Sequence, residues 1–213
     1  MAQIDTVYRY LKDNYKDNEP IMLSELRIPG MKEVSVRQQL KKLSEDGKIK
    51  RFDTGIYFLP RKSIFAFGSG ISVESVIKKK YLVESGNRCG YIGGLNFANQ
   101  LGVTTQVPMV YEVYTNKATS EYRETFLANL RIILRKPYVK VDDRNASILQ
   151  FLDLLKDITD ISDLEKEELT ARLLEYMRTK KLGFESFKSF LPYYPERIYK
   201  NMYEVGLLNG VST

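Results

Sequence analysis

The sequence predicts an α+β protein of two domains. Residues 1–62 carry three short helical segments followed by a hairpin, and residues 63–213 form a mixed α/β domain with a small sheet and a helical tail. Three observations lead there: amphipathic helical spacing near the N-terminus, period-2 alternation around residues 48–59 and again at 123–135, and helical stripes after residue 160.

The first helix rests on Ile4, Val7, Tyr8 and Leu11, spaced i, i+3, i+4, i+7, and ends by Asp13–Asn18, ahead of Pro20. Ile21-Met22-Leu23 and Ser24-Glu25-Leu26 follow, the latter a short second helix with Ser24 or its neighbour as cap, broken by Pro29-Gly30. Ser35-Val36-Arg37-Gln38 matches a capping box, in which Ser35 at the N-cap and Gln38 at N3 satisfy each other's backbone donors. Val36, Leu40 and Leu43 form that helix's apolar stripe, and Gly47 stops it. Lys48–Phe52 alternates like a half-buried strand, Thr54-Gly55 makes a tight turn, and Ile56–Leu59 is the return strand, closed by Pro60.

Three helices and a basic hairpin are the layout of a winged helix-turn-helix, and the residues on it suit duplex DNA. A helix fits the major groove, where Arg37 can pair with guanine and Gln38 with adenine. Ser35, Lys41 and Lys42 join them on the helix, and Lys50, Arg51, Thr54 and Lys62 on the wing; cations there neutralise phosphates and fix register. A winged helix used only for protein contacts is the competing reading. Net charge agrees with a polyanion partner on the first two-thirds of the chain: +4 over residues 1–62, +4 over 63–145 and −2 over 146–213.

After a linker at 63–70, Ser72 caps a helix through about Leu82, with Val73, Val76, Ile77 and Tyr81 inward. Gly93-Gly94 lets a helix of about 94–101 begin close to its neighbours, and Gly102 ends it. Met109–Thr115 reads as a strand. From Arg123 to Arg135, Phe126, Ala128, Leu130, Ile132 and Leu134 point one way, and Arg123, Thr125, Asn129, Arg131 and Arg135 the other. With Lys78, Lys79 and Lys80 these arginines make a candidate second polyanion surface, the alternative being an ordinary solvated sheet face. In the last third, Leu169, Leu173, Leu174 and Met177 form a stripe with a Glu168–Arg172 pair beside it. Pro195 opens a last helix with Ile198, Met202 and Val205 inward, and Tyr193, Tyr194, Tyr199 and Tyr203 pack this end. The acidic run Asp160, Asp163, Glu165, Glu167, Glu168 suits a helix start better than a divalent-ion site.

Composition removes most catalytic classes. The chain has no His and one Cys, Cys89, so Ser-His-Asp and Cys-His catalysis, HExxH zinc sites, Cys-rich zinc or iron–sulfur sites and an internal disulfide framework are excluded, while carboxylate chemistry and metal sites made of oxygens stay open. The Gly-rich stretch 89–95 lacks the endings and spacings of phosphate loops. A nucleotidyltransferase needs Gly-Ser followed about ten residues later by a metal-holding Asp-x-Asp, and no Asp lies between Gly68-Ser69 and Asp142. No catalytic residue, metal or cofactor is expected. A polar N-terminus and short apolar runs predict a cytoplasmic chain that makes no membrane contact.

The order of motifs resembles a known family. Gly55-Ile56-Tyr57-Phe58-Leu59-Pro60 ends the wing, Tyr91-Ile92-Gly93-Gly94-Leu95-Asn96-Phe97-Ala98 opens a helix, Leu101–Pro108 leads into a strand, and Tyr194-Pro195-Glu196-Arg197 starts the last helix. Together they resemble the AbiEi-type abortive-infection antitoxins of bacterial type IV toxin–antitoxin pairs. The resemblance implies a repressor that binds inverted repeats in its own promoter through residues 35–42 and the 50–62 wing. It also implies a C-terminal domain that neutralises a nucleotidyltransferase-like toxin, without implying direct contact with it. The alternative is a plain winged-helix regulator whose C-terminal domain senses a ligand or dimerises.

Overall fold

The computed structural model describes residues 2–61 and 70–208, residues 2–5 by backbone alone. It is a mixed α+β chain of two compact units, Met1–Lys80 and Tyr81–Thr213. The sequence ended the first domain at residue 62. The unit runs on to Lys80, and within it Lys79 reaches Glu19 at 3.1 Å and Glu25 at 3.9 Å and lies 4.8 Å from the centre of the Tyr15 ring. The expected linker falls outside the described residues except for Gly70, as do Lys62 and the side chain of Ile4.

In the first unit α1 (Ala2–Asn14) buries Val7 and Leu11. The chain then enters β1 (Ile21–Met22), both of whose side chains are buried. The expected second helix is only one 3₁₀ turn, Leu23–Glu25, and Ser24 does not cap it. Leu26 and Ile28 are both buried, a period-2 pattern that holds the chain extended, and a residue preceding proline is disfavoured from helical geometry, as Ile28 is by Pro29.

Helix α2 (Glu33–Glu45) starts three residues earlier than expected. Lys32 is its N-cap and makes no side-chain cap, so Ser35 lies inside the first turn and the Ser35–Gln38 capping box does not form. The cause is the turn before it. Gly30 takes φ +74 and Met31 N–H bonds to Ile28 O, so Lys32 O already accepts from Val36. The far end is a Schellman motif: Gly47 sits at φ +69, its N–H bonds to Ser44 O, and Lys48 N–H bonds to Leu43 O.

Strands β2 (Lys50–Asp53) and β3 (Ile56–Phe58) form the hairpin, with Gly55 at φ +73 and a bulge between Arg51 and Asp53. Strand β3 lies between β1 and β2 in a three-stranded antiparallel sheet. Val7, Leu11, Ile21, Leu26, Ile28, Val36, Leu40, Leu43, Ile49, Tyr57 and Leu59 share one core. Helix α3 (Val73–Ile77) is capped by Ser72, whose Oγ accepts from Ser75 N–H, and continues as a π turn over Lys78–Leu82.

The second unit begins with the small hairpin β4 (Val83–Glu84) and β5 (Asn87–Arg88). Its main sheet holds β6 (Gly90–Gly93), β7 (Val110–Thr115), β8 (Tyr122–Leu127) and β9 (Leu130–Arg135) in the order β6-β7-β9-β8, with only β7 and β9 parallel. Helix α4 (Gly94–Leu101) leaves β6 directly. The Gly93-Gly94 pair permits this: a Cβ on Gly93 would lie 2.6 Å from the Tyr114 ring, and one on Gly94, at φ +55, would run into the Glu112 side chain.

The stretch 123–135 is two strands around a turn at Ala128–Asn129, Ala128 having φ +51. Leu127 pairs with Leu130 and Thr125 with Ile132, so odd-numbered residues of β8 share a face with even-numbered residues of β9. Leu127 is therefore buried and Phe126 is 61% exposed, the reverse of the expected phase.

Helix α5 (Ala146–Ile161), which no sequence expectation covered, is the centre of this unit's core. It buries Leu149, Phe151, Leu152, Leu154, Leu155 and Ile158. Helices α6 (Lys166–Lys180), α7 (Phe184–Lys188) and α8 (Arg197–Glu204) complete the core. On α6 the inner stripe is Leu169, Leu173 and Tyr176, and Leu174 is 48% exposed. Ile198, Met202 and Val205 are buried as expected, and of the four tyrosines at this end only Tyr194 is. Asn201 Nδ2 donates to Leu155 O and Lys156 O, tying α8 to α5. No helix among the described residues is long and apolar enough to cross a membrane. Phe151 packs against Tyr176 at 5.3 Å and Phe187 at 5.7 Å between ring centres. Phe151→Ala should lower the stability of this unit by about 3–5 kcal/mol in denaturant unfolding.

Candidate nucleic-acid interface

The first candidate surface follows from how α2 is buried. Val36, Gln39, Leu40 and Leu43 face the core, which turns Val34, Arg37, Gln38 and Lys41 outward at i, i+3, i+4 and i+7. Because no capping box forms, Gln38 is exposed and its side chain is not occupied at the helix start. Ser35, half-buried in the first turn, lies off this row. Buried Gln39 has an Oε1 without a hydrogen-bond partner among the described residues.

The cations on this face are weakly held. Arg37 pairs with Glu33 at 2.9 Å and Lys41 with Glu45 at 3.8 Å, both as exposed i,i+4 pairs. Such pairs contribute about 0.3–0.5 kcal/mol, less than the roughly 1–3 kcal/mol of discrimination in a good bidentate contact to a base edge. A nucleic acid would therefore displace Glu33 at small cost. Lys42 and Lys50 are exposed and have no ion pair among the described residues. On the hairpin, Arg51 donates to Thr54 Oγ1 at 3.0 Å and Asp53 O at 3.2 Å, and Thr54 N–H donates to Asp53 Oδ1 at 2.6 Å. These bonds stiffen the tip. Of the nine residues assigned to DNA, Lys62 lies outside the described residues; the other eight lie on α2 or the hairpin of one unit.

The second candidate surface is less coherent. Lys78 to Lys80 belong to the first unit, where Lys79 is engaged with Glu19 and Glu25, and the arginines belong to the second. Arg123 opposes buried Leu134, whereas Arg131 and Arg135 oppose Phe126 and Tyr122 on the other face, so the three do not share one. The two-residue turn at 128–129 is the reason, because it inverts the alternation between the strands. Arg131 is paired with Glu124 at 2.7 Å, and Arg135 with Glu112. Arg131 and Arg135, each already facing a carboxylate, add little net field for a polyanion.

One cluster had no counterpart in the sequence reading. Asp153 on α5 is 3% exposed and accepts from Tyr91 Oη. Lys156 Nζ stands 3.4 Å from Asp153 and 3.5 Å from Asp157, and 5.7 and 5.5 Å from the ring centres of Tyr114 and Tyr138. Arg197 pairs with Asp157. Burial pushes the Asp153 carboxyl up to about 6, with Lys156 and the Tyr91 hydroxyl pulling the other way. Burial also raises the hydroxyls of Tyr91, Tyr114 and Tyr194. These polar groups satisfy one another, so the cluster is the polar centre of a core. A lone Asp between Phe151-Leu152 and Leu154-Leu155 is its signal in the sequence.

The acidic run after α5 is dispersed. Asp163 accepts from Thr105 N–H at 2.8 Å and Thr105 Oγ1 at 2.6 Å, which lowers its carboxyl, and Glu167 and Glu168 lie in the first turn of α6. Among the described residues no three acidic or Cys side chains are grouped to hold a metal ion.

The raised Asp153 carboxyl sets a pH dependence. Between the ordinary value of 3.8 and about 6 the folded state holds a proton that the unfolded state has released, so stability falls as pH rises through that window and is level above it. Asp153→Asn removes this term. Its stability relative to wild type should rise by about 2 kcal/mol between pH 4 and 7, at roughly 1.36 kcal/mol per pKa unit, in denaturant titrations across pH.

Compared with known proteins, the chain matches no protein-family model and no curated protein.

Proposed function

We propose that this protein is a DNA-binding transcriptional repressor that autoregulates its operon and serves as the antitoxin of a type IV toxin–antitoxin pair. In this reading the first unit is a winged helix-turn-helix. Helix α1, the turn at Leu23–Glu25 and α2 form the helix-turn-helix, and the β2–β3 hairpin is the wing. The observation that carries it is the outward row Arg37, Gln38 and Lys41, opposite the buried Val36, Leu40 and Leu43. A helix placed in a major groove by this face would present a guanine-matching Arg and an adenine-matching Gln. Lys42, Lys50 and Arg51 would lie toward phosphates, which position the protein without reading sequence.

The antitoxin half rests on the resemblance of Tyr91–Ala98, Leu101–Pro108 and Tyr194–Arg197 to AbiEi-type antitoxins. The functional partner would be a nucleotidyltransferase-like toxin encoded beside it, and the second unit would carry the neutralising activity.

One set of full-length variants tests both halves. With labelled duplex from upstream of the gene and a shuffled duplex as competitor, Arg37→Ala should lose about 1–3 kcal/mol of preference for the upstream sequence. Lys50→Ala should weaken both duplexes alike. Neither change should affect rescue of growth when the neighbouring gene is expressed. Equal binding of wild type to both duplexes would remove the repressor reading, and failure of the wild-type chain to rescue would remove the antitoxin reading.

A further inference from the structure

Val34 is an exposed apolar residue of α2 that the proposed DNA contacts leave without a role. It is 68% exposed, although it is β-branched, apolar and in the first turn of the helix. Core packing does not hold it there, and a β-branched side chain is not favoured in a helix for its own sake. Its place is specific: three and four residues ahead of Arg37 and Gln38 and seven ahead of Lys41, it opens the outward row at the N-terminal end of the helix. Its only acidic neighbour in the first turn, Glu33, is paired with Arg37.

Major-groove edges carry one apolar group, the C5-methyl of thymine, which is read by contact with small apolar side chains. The first turn of a recognition helix is the part that reaches deepest toward base edges. We infer that Val34 is a specificity-determining residue that packs its methyl groups against a thymine C5-methyl, next to the bases read by Arg37 and Gln38. The inference rests on the DNA-binding reading of α2. It gives the operator a feature that Arg and Gln alone do not: a thymine within a base pair or two of the guanine and adenine they select.

The test works without a known operator. Wild-type full-length protein is used to select duplexes from a randomised library, and each thymine of the selected sequence is replaced in turn by deoxyuridine, which lacks only the methyl group. Wild type should lose affinity roughly three- to ten-fold at one thymine, the loss expected for one or two buried methyl contacts. Val34→Ala, folded by circular dichroism, should bind the thymine and deoxyuridine duplexes equally, while Arg37→Ala should keep the methyl sensitivity. Selection of a defined sequence that no deoxyuridine replacement weakens, or persistence of the effect in Val34→Ala, would overturn the role of Val34 and leave the DNA reading standing. Enrichment of no sequence would overturn both.

Discussion

The burial of Val36, Leu40 and Leu43 decides which way α2 faces. Those three side chains meet Val7 and Leu11 from α1, Ile21 from β1 and Leu59 beyond β3 in a single core. A fully buried leucine stabilises by about 1.5–3 kcal/mol relative to exposure, several times an exposed ion pair. Rotating α2 to expose this stripe would therefore cost far more than any rearrangement of the charged side chains outside it. The outward row of Val34, Arg37, Gln38 and Lys41 is a consequence of the core, and it is held without strong bonds of its own.

The hairpin depends on the same core. Strand β3 is buried along its whole length and pairs with β1 on one side and β2 on the other. Leu23 N–H bonds to Gly55 O, and Asn18 N–H bonds to Leu59 O. With β3 fixed, β2 is an edge strand with Lys50 and Arg51 exposed. A rigid base carrying long cationic side chains suits phosphate contacts, since such side chains adapt to backbone geometry while the register comes from the sheet. The second unit is organised differently. Its centre is α5, with Asp153 among aromatic rings, and Arg131 and Arg135 on its sheet are each paired with a glutamate.

Much of this was legible from spacing. The stripes of α1, α2 and α8, the Ser72 cap, the 94–101 helix and the 50–58 hairpin follow from periodicity and turn residues, because local geometry decides them. What was missed depended on distant partners or on competing local signals. The box at Ser35–Gln38 is a valid pattern, but the turn at Ile28–Met31 starts the helix before it. Alternation through 123–135 gave the right faces for β9 and the wrong ones for β8, because a two-residue turn left no Gly or Pro to announce it. Leu174 fits the α6 stripe by spacing, but Tyr176 fills the place against Phe97 and Phe151. Helix α5 is apolar around much of its circumference, so it lacks the contrast that marks a half-buried helix. An exposed valine such as Val34 carries no signal in the sequence until the helix start and facing are known.

The central claim is that the first unit meets duplex DNA through α2 and the hairpin. Its most direct measurement is the affinity of the full chain for duplex DNA across a salt series. Each neutralised phosphate contributes a slope of about −0.9 to log affinity against log salt. Contacts from Lys41, Lys42, Lys50 and Arg51 to phosphates predict a steep negative slope that shallows by about one unit in Lys50→Ala. A slope near zero, or one that Lys50→Ala leaves unchanged, would contradict the account.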